Sequence, residues 1–80
     1  MKKNIAYVEG TVACVLRKRQ NELDLTSLPR AKASLIALLE SPEIRDQALA
    51  RQYIYDIQHV RNMPHLLSIL GTYMTGVKVS

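Results

Sequence analysis

Cysteine occurs once in this chain, at Cys14, so no disulfide can close within it. The two histidines, His59 and His65, do not combine with it at the spacing a structural zinc needs. Two common ways of stabilising a small fold are thereby removed. Phenylalanine and tryptophan are absent, and four tyrosines make up the whole aromatic complement. A buried tyrosine has to satisfy its hydroxyl, so these rings favour the margins of cores and interfaces. Glycine is sparse (Gly10, Gly71 and Gly76), and no glycine-rich loop exists to cradle a phosphate. No apolar run reaches the roughly 20 residues of a membrane span. Met1-Lys2-Lys3 followed by Ile5-Ala6-Tyr7-Val8 imitates a signal peptide, but Glu9-Gly10 ends the apolar stretch well short of the roughly 7–15 residues required. A cytoplasmic chain with no membrane contact is expected.

At 80 residues the chain is expected to form a single domain without room for a separate catalytic module. So short a chain buries only about 60% of its unfolded surface and is marginal alone. Hydrophobic residues make up 48% of it, enough for close helix packing or for association with another chain. The net charge is +4, with seven Lys/Arg against four Asp/Glu in residues 1–40 and four against three in 41–80. That surplus suits nucleic acid or an acidic protein without choosing between them.

The periodicity predicts an all-α bundle of four helices, at about 4–23, 28–40, 42–62 and 64–75, which oligomerisation could complete. Ile5, Val8, Val12, Val15 and Leu16 fall on one arc of a helical wheel, with Gly10 a weak point inside that helix. Thr26 or Ser27 can cap a second helix with Pro29 in its first turn, burying Ala31, Leu35, Leu38 and Leu39. Ser41-Pro42-Glu43 reads as the start of the third. Along it Leu49, Tyr53, Ile57 and Val60 line one side, and Ile44, Ala48 and Tyr55 another. Pro64 ends it, Asn62 can cap the next helix, and this very apolar fourth helix closes at Gly76. The tail Val77-Lys78-Val79-Ser80 is expected to fray.

Catalysis finds little support. Cys14 lies among Val12, Ala13 and Val15 and reads as a small buried hydrophobe, although Arg17 and Lys18 stand near enough to activate a thiol. Asp56 and His59, three apart on one helix, suit a solvated pair better than a catalytic dyad. No catalytic residue, cofactor, metal or small-molecule substrate is expected. What remains is surplus apolar surface, which marks partner sites. Ile44, Ala48, Arg51, Tyr55, Leu66, Leu67, Tyr73 and Met74 are the expected protein interface, rich in the Tyr, Met and Arg that interfaces favour. The leading expectation is a small regulator that covers a functional surface of another protein, as an adaptor, inhibitor or antirepressor does, and that forms homo-oligomers. The alternative is a nucleic-acid-binding regulator using Lys2, Lys3, Arg17, Lys18, Arg19, Arg30 and Lys32. Against it, Glu43 and Asp46 at the start of the third helix would repel phosphates.

Overall fold

The computed structural model describes residues 9–75, and these form four α-helices with no strand among them. Helix α1 spans Val12–Lys18 and is followed by a 3-10 turn at Gln20–Glu22. Helices α2, α3 and α4 span Leu28–Leu39, Gln47–Gln58 and Met63–Thr75. Each start has its own cap. The Thr11 hydroxyl accepts from the Cys14 N–H at 3.1 Å, the Ser27 hydroxyl from Arg30 N–H at 3.4 Å, Asp46 Oδ1 from Leu49 N–H at 3.0 Å, and Asn62 Oδ1 from His65 N–H at 2.9 Å.

Two helices are shorter than their hydrophobic pattern suggests. The first begins at Val12 because Gly10 stands outside it with φ +85°, a left-handed conformation that side chains rarely adopt. Residues 4–8, expected in that helix, lie outside the described residues, as do Gly76 and the tail. The third begins at Gln47 instead of Ser41. Ser41 is buried, and its hydroxyl accepts from the Glu43 N–H at 3.2 Å, folding the chain into a local turn that competes with the helix. Ile44 then drops into the core, and Arg45 N–H bonds the Gly10 carbonyl at 2.9 Å. At the far end the backbone leaves the helix at His59, so that Val60 is buried from the connector.

α1 packs against α4 and α2, and α2 packs against α3. Leu16, Leu35, Leu38, Leu39, Ile44, Ile57 and Leu66 are the largest fully buried side chains, drawn from all four helices and the α2–α3 connector. Each stabilises the fold by about 1.5–3 kcal/mol relative to exposure. Two cations secure helix ends: Arg17 Nε donates to the Met74 carbonyl at 2.8 Å, and Lys32 Nζ to the Gln58 carbonyl at 3.2 Å. Both place positive charge at the negative end of a helix dipole. Among the described residues no helix is long and apolar enough to cross a membrane.

Candidate protein-binding cleft

Helices α3 and α4 touch through stacked rings: Tyr53 and Tyr73 lie 3.9 Å apart between centroids and 18° from parallel. Beside that stack lies an open cleft of about 470 Å³. One wall is Tyr55 and Asp56 of α3 with His59 at its C-terminal cap; the other is His65, Ser68, Ile69, Thr72 and Tyr73 of α4. The α4 residues recur three and four apart, so they form one stripe along the helix. On α3, Ala50 and Ile57 face the core, while Ala48, Arg51, Tyr55, Asp56 and His59 face outward.

Tyr55 is 63% exposed, more than Leu25 and Leu67, the other exposed large hydrophobic residues among those described. It is held in place all the same. His59 Nδ1 meets the Tyr55 carbonyl at 2.8 Å, and the two rings sit 4.4 Å apart, tilted by 44°. His59 thus turns its ring back on its own helix, and its link to Asp56 is through the backbone, the His59 N–H donating to the Asp56 carbonyl at 3.1 Å. Thr72 Oγ1 donates to the Ser68 carbonyl at 3.2 Å. Burial, with a smaller contribution from the Asp56 charge, pushes the Tyr73 hydroxyl up to about 12, and the Tyr53 hydroxyl is raised by burial and then by the charges of Asp46 and Asp56. Arg51, Asp56 and Arg61 are the only Lys, Arg, Asp or Glu in residues 47–75, although the chain holds eleven Lys/Arg and seven Asp/Glu. The α3–α4 surface is therefore poor in charge.

The eight expected interface residues do not share one surface. Ala48, Arg51 and Tyr55 are exposed on the outer side of α3, as the pattern implied. Ile44, Leu66 and Tyr73 are buried, at 1%, 1% and 8% exposure, and belong to the core. Ile44 is a correction that follows from the later start of α3: it is not on the outer face at all. Tyr73 reaches the cleft floor while its ring packs on Tyr53. Met74 is half-buried, and Leu67, 44% exposed, lies on α4 away from the cleft lining. Nor is α4 apolar all round, since His65, Ser68 and Thr72 form an exposed polar stripe. The spacing 65, 68, 69, 72 was the available signal for that wall, hidden beneath the strong Leu66–Leu70–Tyr73 core pattern.

The basic residues are dispersed and largely occupied. Lys2 and Lys3 lie outside the described residues. Arg17 and Lys32 hold helix ends. Arg19 donates through Nε and Nη2 to Glu22, both at 2.9 Å, and through Nη1 to Ser41 Oγ at 3.3 Å, with Glu43 4.0 Å away. That hydrogen-bonded pair raises the Arg19 pKa and lowers that of Glu22. Arg30 sits 3.6 Å from Asp24, a carboxylate held low mainly by hydrogen bonds from Thr26. Lys18 is exposed and borders a smaller cavity of about 170 Å³, which also contains Cys14, Glu43 and Arg45. Among the described residues no three His, Cys, Asp or Glu side chains are grouped to hold a metal.

Compared with known proteins, the chain matches no family model, no curated protein and no solved structure. The functional reading therefore rests on the cleft itself.

Proposed function

We propose that this chain is a non-enzymatic regulatory protein that binds another protein through the α3–α4 cleft and modulates it by covering the docked surface. The observation that carries the reading is the combination at that cleft: Tyr55 exposed at 63% beside a cleft of about 470 Å³, on a surface almost free of charge. Depletion of charge with enrichment of tyrosine distinguishes interface centres from ordinary surface. A partner would seat an apolar group against Tyr55, Ile69 and the Tyr73 ring, with His59, His65, Ser68 and Thr72 forming a polar rim. Adaptor, inhibitor and antirepressor roles all reduce to this act of covering. Association of identical copies through the same surface is a special case of it. The nucleic-acid alternative draws on cations that mostly serve the fold's own carbonyls and carboxylates, which weakens a phosphate-binding reading.

The test is selection from a displayed random peptide library on the immobilised chain, followed by counter-selection on Tyr55→Ala. Peptides held by the cleft lose about 2 kcal/mol or more of binding on that substitution, as an interface tyrosine does. The fold keeps its stability, because Tyr55 is mostly exposed. Failure to select any peptide sensitive to Tyr55→Ala would contradict the reading.

A further inference from the structure

We propose that the α3–α4 cleft accepts a cationic side chain, lysine or arginine, from a segment of the partner protein. The inference rests on the reading of this cleft as a protein-binding surface and adds the chemistry of the group that enters it. The cleft is rich in acceptors. Asp56 is its only carboxylate and makes no ion pair among the described residues. His59 Nδ1 faces the Tyr55 carbonyl, which can only accept, so Nδ1 carries the proton. In the neutral ring Nε2 is then left with a lone pair. Thr72 has committed its hydroxyl hydrogen to the Ser68 carbonyl and keeps only acceptor capacity.

Among the described residues no lysine or arginine lines the cleft to answer these groups; Arg51 and Arg61, the cations of residues 47–75, are both outside its lining. The raised Tyr73 pKa, to which the Asp56 charge contributes, fits a negative potential reaching the cleft floor. The exposed Tyr55 ring adds to it, since a ring face attracts a cation within about 6 Å. An ammonium or guanidinium carried on an apolar stem matches this set: the stem on Ile69 and the rings, the head at Asp56. An acidic side chain would meet the like charge of Asp56.

The experiment titrates the ¹⁵N-labelled chain with N-acetyl-arginine amide and, separately, with N-acetyl-citrulline amide, which has nearly the same shape without the charge. The arginine probe is expected to shift the amide signals of Asp56, His59, Ser68 and Thr72, with the citrulline probe at least about tenfold weaker. Asp56→Asn should weaken the arginine probe by a similar factor, and Asp56→Glu should keep most of it. Equal response to both probes would overturn the cationic preference while leaving an apolar docking cleft in place. Response elsewhere on the chain, or none in the cleft, would also overturn it. Neither result decides the broader reading, which stands or falls on the Tyr55-sensitive peptides.

Discussion

A methyl group added at Gly71 would meet no atom within 4 Å, whereas one at Gly10 would fall 2.6 Å from Cγ of Arg45. Gly71 is a helix-interior position on the exposed side of α4, where glycine costs about 1 kcal/mol relative to alanine. Gly71→Ala is expected to stabilise the chain by about that amount. Gly10→Ala is expected to destabilise it by about 1–2 kcal/mol, since φ is +85° and the Arg45 side chain has to move aside. Urea midpoints of the two variants should move in opposite directions. At Tyr73 the anion is disfavoured in the folded state, with the pKa pushed up to about 12 from 10. Between those values the unfolded chain has lost a proton that the folded chain keeps. Stability from this group is thus complete below about pH 10 and declines as pH rises toward 12. Denaturant midpoints across that window should fall less steeply for Tyr73→Phe than for the native sequence.

At the scale of elements, the caps decide where helices start, and the four of them differ in how visible they were. Ser27 with Pro29, and Asn62 with Pro64, could be read from the sequence because a proline in the first turn marks the start. Ser41-Pro42-Glu43 carried the same mark and misled: its serine is turned inward to Glu43 N–H and Arg19, and Asp46 caps the helix instead. The difference is tertiary. A helix begun at Ser41 would carry Ile44 on the outer face, and its burial in the core is worth more than one extra turn. Asp46→Ala and Asn62→Ala should therefore each cost about 1 kcal/mol. Ser41→Ala should leave the α3 start unchanged, as backbone amide exchange of residues 47–50 would report. The 3.6-residue periodicity located the core face of α2, at Ala31, Leu35, Leu38 and Leu39, while on α3 it found Ile57 and passed over Ala50. Gly10 broke the first helix, because a left-handed residue cannot be told from a tolerated helical glycine by its neighbours alone.

Over the whole molecule, the charges and the spare apolar surface occupy different regions. Residues 9–46 hold most of the charged side chains, and several of them bind one another or helix ends. The α3–α4 side holds few and presents Tyr55 and the cleft. The sequence revealed the surplus of apolar residues and the exposure of Ala48, Arg51 and Tyr55 on α3. It could not reveal that Leu66, Tyr73 and Ile44 are used up by the core, since burial depends on which neighbours arrive from elsewhere in the chain. It also hid the cleft's second wall, which is made of polar residues that a search for hydrophobic stripes discards. The division predicts a salt response: docking in a cleft with a single carboxylate should weaken modestly as salt rises, by the share of one screened ion pair, unlike phosphate binding, whose affinity falls steeply.

The measurement that bears most directly on the docking cleft is an amide-resolved NMR map of the ¹⁵N-labelled chain with a library-selected peptide, and in parallel with a short DNA duplex. The docking account predicts peptide-induced shifts concentrated in residues 55–59 and 65–73, abolished by Tyr55→Ala, with the duplex leaving that region unmoved. Peptide shifts scattered outside the cleft, or a duplex that binds at low salt through residues 17–19 and 30–32, would contradict it.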